Sequence, residues 1–450
     1  MIKDKFFYKQ FFSMMAILAL QNVITLSVNL ADNMMLGAYS ETSLAGVAAV
    51  NQIQFVYQQL LMAAGEGIVI LGTQYFGQGR EKPVKVIASI AMHGALIIAF
   101  GLFCAASLFP DGLVRLFTSD EAVIAEGVRY LRLIRFTYPF FAVTQLILAL
   151  LRSSGTVGIA LYLSGWSLLV NCLINYTLIY GHFGAPRMGV AGAAVGTLTA
   201  RITELLILLI VIRKMKTRLS VTFRDYLQSD PVLRMDYIRV TTPVLVISGL
   251  WGLNNAVQNA ILGHMSSRAI AANSVASTQF LLVKSLAVGM SSATGFFIGK
   301  TIGEGDQKKL KQISVTMQLL FVCIGLAAGL ILFLIRIPLL SIYRLEPETK
   351  EMANQFLIIL SVVMVTMSYQ MPVNNGIIRG GGDSAFVMRM DIISIWCIVI
   401  PVSFLMAFVV KADPVIVICC LNADQVFKCV PAFLKCNYGN WAKKLTRQIE

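Results

Sequence analysis

The chain has 450 residues, of which 57% are hydrophobic and only 13% are charged. Its mean hydropathy of +0.74 excludes an ordinary soluble domain, in which roughly a quarter of the residues are charged. The formal net charge of +14 would suggest a nucleic-acid partner for a soluble protein, but in a membrane protein lysine and arginine set the orientation. We therefore expect an all-α integral membrane protein with no nucleic-acid partner.

Twelve apolar stretches, each long enough to cross a bilayer, follow one another along the chain. The predicted spans are 11–37, 44–76, 84–109, 123–151, 158–183, 188–212, 237–263, 269–302, 310–337, 349–378, 386–410 and 414–433. A polar, charged connector over residues 213–236 separates the first six from the last six. We therefore divide the chain into an N-lobe (1–212), the connector, a C-lobe (237–436) and a tail (437–450).

The loops on alternate sides of the predicted spans differ in charge. One side carries most of the lysine and arginine residues, namely Lys3, Lys5, Lys9, Arg80, Lys82, Lys85, Lys308, Lys309, Lys311, Lys443, Lys444, Arg447 and the connector. The opposite loops are short or acidic, as at Asp120 and Glu346. Because positively charged loops stay in the cytoplasm, we expect both termini there, in a multi-pass protein of the plasma (inner) membrane.

An internal repeat is the strongest signal in the sequence. Three blocks of the first half reappear at offsets of 226 or 227: residues 34–50 with 260–276, 77–80 with 303–306, and 152–155 with 379–382. Six spans per repeat is an even number, so the two lobes share one orientation and a pseudo-two-fold axis along the membrane normal relates them. Such an arrangement predicts a transporter with its substrate site near the midplane; the alternative is a duplicated scaffold without transport.

A set of oxygen-bearing side chains in the first half indicates an ion-coupling site. Asp32 lies deep in the first span, where an ionised carboxylate is costly. On the fifth span Asn171 and Asn175 are four residues apart and share a helix face, and Thr197 of the sixth span offers a hydroxyl. One negative charge among these oxygens suits one proton or one Na⁺ at Asp32. The alternative is that the two asparagines only join helices by hydrogen bonds.

Lys284 is the second unusual charge, near the middle of the eighth span, with Gln279 before it and Gln58 at its repeat position. It would contact an anionic or electron-rich part of a substrate, or pair with Asp32 in one conformation; the alternatives are snorkelling and a static ion pair. Methionine and aromatic side chains would line a broad cleft for flat or cationic organic molecules, although such residues more often form core or face lipid. These candidates are Tyr57, Met62, Tyr138, Trp251, Met290, Met364, Met367 and Tyr369, and Gln58, Gln279 and Lys284 are polar candidates for the same cleft.

The remaining polar residues and motifs of the sequence do not indicate an enzyme active site. Glu66, His93, Glu204 and Asp391 lie nearer helix ends and are expected to be solvated. The sequence has no Walker A motif, no metal-spaced histidine pair and no nucleophile elbow, which predicts a protein that is not an enzyme, has no cofactor and uses an ion gradient. The sequence Gly380-Gly-Gly-Asp383 resembles a phosphate loop, but its repeat counterpart lacks that pattern and indicates a tight turn.

Several stretches resemble the multidrug and toxic compound extrusion (MATE) family: LADNMMLGAYSETSLAGVAAV, GTQYFGQG, LLRSSG, NCLINYTLIY, MGVAGAAVGTLTAR, GKTIGEGD, IIRGGGD and NWAKKLTRQ. The resemblance implies two six-helix lobes around a cleft that export small organic solutes or drugs in exchange for H⁺ or Na⁺, with the monomer as functional unit. Its N-lobe cation site carries over to Asp32, Asn171 and Thr197, whereas Asn175 stands where some members have an aspartate. H⁺ and Na⁺ therefore both remain open.

Two functions other than solute export are compatible with a helical membrane protein. A flippase for lipid-linked sugars would show a more cationic central cavity and often extra helices. A membrane sensor without transport would carry a partner domain, and the predicted loops are too short to hold one. The antiporter is favoured over both.

Overall fold

The computed structural model describes residues 2–214, 228, 230–343 and 345–447. Within these ranges the chain is helical and contains no β-strand. The connector predicted for residues 213–236 lies mostly outside the described residues, and so does the end of the predicted tail.

The first half of the chain forms eight helices. They are α1 (Lys5–Tyr39), α2 (Glu41–Gly77), α3 (Lys82–Leu108), α4 (Pro110–Arg115), α5 (Glu121–Ile134), α6 (Thr137–Ser153), α7 (Gly158–Tyr180) and α8 (Val190–Lys214). All except the short α4 have the length and hydropathy of a span, with α5 and α6 counting together as one.

The fourth span is broken, which corrects the prediction of one continuous helix over 123–151. Helices α5 and α6 meet at a bend of 55°. Pro139 lies in the first turn of α6. A proline lacks the backbone N–H and clashes with the carbonyl four residues earlier, here that of Arg135, so α5 cannot continue unbent into α6.

The second half begins with three long helices, α9 (Pro231–Met265), α10 (Ser267–Glu304) and α11 (Gln307–Ile342). Three spans built from shorter pieces follow, interrupted by π-helical turns. Their α-helical pieces are α12 (Pro347–Met371), α13 (Ser384–Asp391), α14 (Ile400–Phe404), α15 (Pro414–Leu421), α16 (Asp424–Phe427) and α17 (Cys429–Tyr438). Eleven described helices have the length and composition of a span, and the bent pair makes twelve. The predicted all-α fold of twelve spans is therefore confirmed.

The last span is interrupted where two charged residues occur. Helix α15 ends at Leu421, α16 starts at Asp424, and Lys428 separates α16 from α17. Pro431 has no N–H to donate to the carbonyl of Phe427, so the regular helical pattern cannot pass through this point. Interrupted helices within a membrane protein bring unpaired backbone groups and side chains to its interior.

The internal repeat appears again in the backbone. Gly79 (φ +72°) and Gly305 (φ +79°) both end a long helix in the left-handed region, at the offset of 226 residues. Gly155 (φ +86°) and Gly382 (φ +97°) do the same at an offset of 227. Only glycine enters this region without a steric penalty. The two halves therefore share their turn geometry as well as their sequence blocks.

The helices pack into two compact units. The first unit comprises Leu20–Gly72 and Gly79–Thr241, and the second comprises Met1–Ala19, Thr73–Gln78 and Thr242–Glu450. Helices α1 and α2 thus contribute to both units. The lobe boundaries predicted from the sequence stay a prediction.

Residues 441–447, here called the tail strap, run along the second unit after α17. Trp441 is buried, and the amide of Lys443 donates to the carbonyl of Gly381 at 2.8 Å. Gln74, near the end of α2, binds the strap backbone twice: its Nε2 donates to the carbonyl of Lys443 at 3.1 Å and its Oε1 accepts from the amide of Leu445 at 2.8 Å. The strap therefore fastens the end of α2 to the turn that contains Gly381.

Asp383 anchors the strap electrostatically. Residues 379–382 form the predicted tight turn, and the Asp383 carboxylate that follows accepts from Lys443 Nζ and Lys435 Nζ, both at 2.9 Å. Burial alone would raise the pKa of Asp383, but the hydrogen bonds and charges of the two lysines lower it below its ordinary value of 3.8. A carboxylate between two ammonium groups does not suit a phosphate site.

Candidate ion-coupling site and substrate-facing residues

The four side chains predicted to form a coupling site lie together in the first unit. Asp32 comes from α1, Asn171 and Asn175 from α7, and Thr197 from α8. Asn175 Nδ2 donates to Asp32 Oδ1 at 2.6 Å and to Asn171 Oδ1 at 3.2 Å. Asn171 Nδ2 donates to Thr197 Oγ1 at 3.1 Å. The hydrogen bonds form one chain from the carboxylate to the hydroxyl, which we call the Asp32 group.

Glycines of α8 let it approach α7 at this point. A Cβ on Gly192 would lie 2.7 Å from the backbone of Leu178, and a Cβ on Gly196 would lie 2.0 Å from Asn175 Oδ1. Both distances are shorter than non-bonded atoms permit. The missing side chain of Gly196 therefore provides the space in which the Asn175 amide reaches Asp32.

Amides, rather than cations, compensate the Asp32 carboxylate. Among the described residues no lysine or arginine forms an ion pair with Asp32. Arg201 acts on it only through a longer-range charge interaction, since its guanidinium binds Glu204 Oε2 at 2.8 Å and lies 4.7 Å from the ring centroid of Phe141. The charge on Asp32 is thus left without a neutralising partner of its own.

One acceptor in the group lacks a donor. Asn175 Oδ1 is buried and has no hydrogen-bond partner within the described part of the chain. A buried acceptor without a partner typically costs about 1–3 kcal/mol, so a donor or a cation at this atom would be stabilising. Together with Asp32, Asn171 and Thr197 it provides four residues that carry hard oxygen ligands, the kind preferred by Na⁺. Asn29 and Asn33, which flank Asp32 in sequence, are exposed.

The sequence reasoning missed two neighbours of the Asp32 group. Tyr130 of α5 is buried, and Asp32, Gln54 and Thr197 are among the groups that act electrostatically on its hydroxyl. Arg201 was not singled out, although a basic residue four positions after Thr197 in an apolar helix could have been noticed from the sequence. Nothing in the sequence links Tyr130 to the group, because that interaction depends on the packing of α5.

Four residues predicted for the substrate cleft belong to the first unit. Tyr57 is buried, with its hydroxyl donating to the carbonyl of Tyr138 at 2.6 Å. Gln58 is partly exposed, and Met62 has 53% of its surface exposed. Tyr57 and Tyr138 therefore serve as packing residues here, which is the core alternative considered for such side chains, whereas Met62 faces outward.

The other cleft candidates belong to the second unit. Gln279 is buried, and neither amide atom has a hydrogen-bond partner among the described residues. Met290 is completely buried. Tyr369 is partly exposed, and its hydroxyl donates to Gln318 Oε1 at 2.8 Å.

Two further methionines of this set lie in a hydrophobic core. Met364 and Met367 of α12 are buried in an apolar cluster with Phe280 and Phe356. This again is the core alternative. A role for either methionine in a cleft has no support from its surroundings.

Lys284 lies beside an aromatic ring. Its Nζ is 5.3 Å from the ring centroid of Trp251, and its side chain is partly exposed. No hydrogen bond or ion pair to Lys284 is found within the described residues. The static ion pair considered for this lysine is therefore not present among them.

A buried ion-pair cluster in the second unit was also missed. Lys428 is 3% exposed, and its Nζ donates to Asp391 Oδ1 at 2.7 Å and to Asp424 Oδ2 at 3.0 Å. Gln425 Nε2 donates to the same Asp424 oxygen at 2.7 Å. An acid and a base four residues apart within the predicted span 414–433 could have revealed the pair.

The expectation of solvated charges near helix ends is wrong for Glu204, which is only 3% exposed and pairs with Arg201. Asp391 stays partly exposed, with its carboxylate held by Lys428. Glu66 is partly buried against Arg152 at 2.5 Å, and His93 is exposed. Acids within apolar helices are stable when a basic partner is in reach, which spacing to a helix end does not reveal.

Within the described ranges, no three His, Cys, Asp or Glu side chains cluster in a way that could hold a metal ion. The fold and the arrangement of buried charges instead define a polytopic helical membrane protein built on a repeat.

Comparison with known proteins extends this description. The MatE family model matches residues 18–177 and 243–405, which is more than half of the chain. A probable multidrug resistance protein NorM of Thermotoga maritima is 26% identical, over 95% of this chain and 92% of the relative. A probable multidrug resistance protein YoeA of Bacillus subtilis is also 26% identical, over 88% and 86%.

Solved structures show the same fold. A crystal structure of MATE in complex with MaL6 superposes with a TM-score of 0.87 at 17% identity, covering 95% of both chains. A MOP superfamily transporter from Pyrococcus furiosus superposes with a TM-score of 0.85 at 17% identity, covering 95% of this chain and 94% of the other.

The chain belongs to the multidrug and toxic compound extrusion (MATE) family. It is accordingly a multi-pass membrane transporter with the two-lobe layout of that fold. The family does not by itself assign roles to individual residues of this chain, so the proposals below are based on the contacts and distances described above.

Proposed function

We propose that this protein is a cation-coupled antiporter that exports organic solutes or drugs in exchange for H⁺ or Na⁺. Its membership of the MATE family supports export, and the relatives from Thermotoga maritima and Bacillus subtilis carry the name of multidrug resistance proteins. No cofactor is required by this mechanism. The coupling ion enters down its gradient, and its binding determines which arrangement of the lobes is favoured.

One observation carries the proposal: among the described residues Asp32 accepts a hydrogen bond from the Asn175 amide and has no ion-pair partner, while the nearby Asn175 Oδ1 lacks a donor. A site designed only to join helices would satisfy this oxygen and would not need a carboxylate. A proton or a Na⁺ ion would compensate Asp32, and Na⁺ would in addition coordinate the Asn175 oxygen. Asn171 and Thr197 hold the asparagine in place.

The mechanism follows from the cost of burying a charge. Ionised Asp32 is more stable where water reaches it, whereas the neutralised or ion-bound group tolerates a closed, apolar environment. Ion binding therefore shifts the population between the inward-facing and outward-facing arrangements. Organic solute binds one arrangement and leaves from the other, so the ion gradient is converted into export.

The energy available is sufficient for export. One elementary charge crossing a potential of 100 mV is worth about 2.3 kcal/mol. Since about 1.4 kcal/mol corresponds to a tenfold ratio, one inward ion sustains an export gradient of roughly 50-fold for a neutral solute.

Reconstituted protein tests this function. The full chain in liposomes, loaded with a cationic or an anionic dye, is given either an H⁺ gradient or a Na⁺ gradient. Dye movement that follows one gradient and stops when it is collapsed is the expected result. Equal dye movement with and without both gradients would contradict the proposal.

We propose further that the protein acts as a monomer in the plasma membrane with both termini in the cytoplasm. The excess of lysine and arginine on the side of the termini supports this orientation. A reporter that is active only in the cytoplasm, fused after residue 450, should be active. Particle-mass measurement in nanodiscs should give one chain per particle.

A further inference from the structure

Lys284 occupies a position that a lysine in a membrane helix rarely takes. It lies 17 residues after the start and 20 residues before the end of α10. At 1.5 Å per residue, each helix end is about 25–30 Å away. A residue at the centre of a hydrocarbon core about 30 Å thick lies about 15 Å from either interface, which is beyond the reach of a snorkelling side chain. Its ammonium therefore remains near the middle of the span.

The surroundings of Lys284 leave its charge only partly compensated. Within the described residues it makes no ion pair or hydrogen bond; the indole of Trp251 lies 5.3 Å away, and the side chain is partly exposed. Asp424 is the acid whose charge acts on it. A cation–π contact and a more distant acid reduce the free-energy cost of placing this ammonium group in the span. They do not provide hydrogen-bond acceptors for its three N–H donors.

Asp424 is itself committed elsewhere. Its Oδ2 accepts from Lys428 Nζ at 3.0 Å and from Gln425 Nε2 at 2.7 Å, while Lys428 also binds Asp391 at 2.7 Å. Asp424, Lys428 and Asp391 form one ion-pair cluster, which we call the charge row. Lys284 makes no ion pair with it among the described residues, and the charge of Asp424 acts on Lys284 from a distance.

We propose that Lys284 and Trp251 bind the anionic group of an aromatic organic solute, such as a carboxylate or sulfonate. The ammonium supplies a charge and three donors to the anion, and the indole supplies an aromatic surface to the attached ring. This inference rests on the proposed export function, because it names a substrate class for the same transporter.

The competing explanation is that Lys284 and the charge row only support the fold. The two explanations differ in the sign of one effect. If Lys284 binds the anionic group of a ligand, then Asp424→Asn must tighten the binding of that ligand, since a negative charge that acts on Lys284 is removed and Lys428 keeps Asp391 as its partner. If both only support the fold, the same change either leaves binding unaltered or weakens all ligands together.

The experiment measures binding to the purified full chain in nanodiscs, without any ion gradient. Fluorescence anisotropy follows two aromatic dyes, the anionic carboxyfluorescein and the cationic ethidium. Lys284→Gln should weaken carboxyfluorescein at least tenfold and leave ethidium unchanged or tighter. Asp424→Asn should tighten carboxyfluorescein about threefold or more.

Two further variants guard against trivial outcomes. Lys284→Arg keeps the charge and should retain carboxyfluorescein binding, which separates loss of charge from misfolding. Lys300→Gln removes an exposed lysine of the same helix and should change neither dye.

The outcomes separate this inference from the function on which it rests. Loss of both dyes in Lys284→Gln, or unaltered carboxyfluorescein affinity in Lys284→Gln, would overturn the inference. So would weaker carboxyfluorescein binding in a folded Asp424→Asn protein. If the protein exports ethidium under an ion gradient but binds no anion, the proposed function stands and the inference about Lys284 is wrong. If it binds the anion but shows no gradient-driven export, the inference stands and the proposed function is wrong.

Discussion

The acids within the predicted spans of the two units are compensated in different ways. In the first unit Asp32 is bound by the amide of Asn175, and no basic side chain pairs with it among the described residues. In the second unit Asp391 and Asp424 share the ammonium of Lys428. A salt-bridged acid holds its charge because loss of either partner leaves a buried ion. An acid surrounded by amides can exchange its compensating ion, which is what coupling requires.

Substitutions in the two units should therefore affect different properties of the protein. Neutralising Asp32 removes a charge within a span that has no ionic partner among the described residues, and it should affect transport rather than stability. Neutralising Lys428 leaves two carboxylates without their shared cation and should affect stability first. The predictions below separate the two kinds of acid.

The largest effect is expected for Asp32→Asn. The variant cannot take up a proton and offers no negative charge to Na⁺, so export driven by either gradient should fall at least 100-fold, measured as dye efflux from proteoliposomes. Thermal unfolding of the purified protein should be unchanged or slightly higher, because an uncompensated charge within a span has been removed. Asn33→Ala, at an exposed neighbour on the same helix, should behave like the wild type. Normal coupling in Asp32→Asn would remove Asp32 from the coupling site.

Lys428→Met should give the largest loss of stability. Breaking a buried ion pair by removing one partner typically costs about 3–5 kcal/mol, which thermal unfolding in detergent would report as a clear fall in midpoint. Adding Asp391→Asn and Asp424→Asn to the same protein should recover part of the loss, since the stranded charges are then gone. If the single variant unfolds at the same temperature as the wild type, the ion pairs of Lys428 do not stabilise the fold.

A smaller effect is expected at Gly196. A methyl group there collides with Asn175 Oδ1 and should displace the amide from Asp32. Since a hydrogen bond to a charged group contributes about 1.5–3 kcal/mol and Asn175 Oδ1 would be a ligand of Na⁺, the Na⁺ concentration for half-maximal export should rise about tenfold in Gly196→Ala. If H⁺ is the coupling ion, loss of this hydrogen bond favours the protonated carboxyl group, and the H⁺ concentration for half-maximal export should fall. Gly165→Ala is the matched control on α7, where an added Cβ meets nothing within 4 Å. Equal ion dependence in both variants would show that the position of Asn175 is unimportant.

How much of this could be read from the sequence depends on the range of the interaction. The repeat predicted the paired turns at Gly79 and Gly305, because a left-handed glycine leaves a local mark in the sequence. The helical spacing of Asn171 and Asn175 likewise predicted a common face. The meeting of Asp32 with α7 came partly from the family resemblance, since no pattern within α1 shows which helix it contacts.

Features that depend on packing between distant segments were missed. Tyr130 comes close to Thr197 only because α5 is bent away from α6, and the bend itself could have been predicted from Pro139. Asp424 and Lys428 were overlooked although their spacing was visible; their link to Asp391 of another helix was not. The tail strap could not have been predicted, because its backbone hydrogen bonds to Gln74 depend on where α2 ends rather than on residue type.

The smallest effect concerns Asp383, a paired acid outside the spans that extends the comparison to the tail strap. Its pKa is lowered by Lys435 and Lys443, so its contribution is complete above the ordinary value of 3.8 and is lost as the pH falls through the lowered value. A spin label at Lys444, in a protein without accessible native cysteines, should thus show constant, restricted mobility from about pH 8 to pH 5.

In Asp383→Asn the same label should be more mobile throughout this range, consistent with a loss of about 1 kcal/mol for a partly exposed pair. Asp4→Asn, at an acid in the exposed N-terminal segment, is the control and should leave the mobility unaltered. A strap that loosens in the wild type between pH 8 and pH 5 would mean that Asp383 is not held as a carboxylate by its lysines. It would then resemble Asp32 rather than the salt-bridged acids of the second unit.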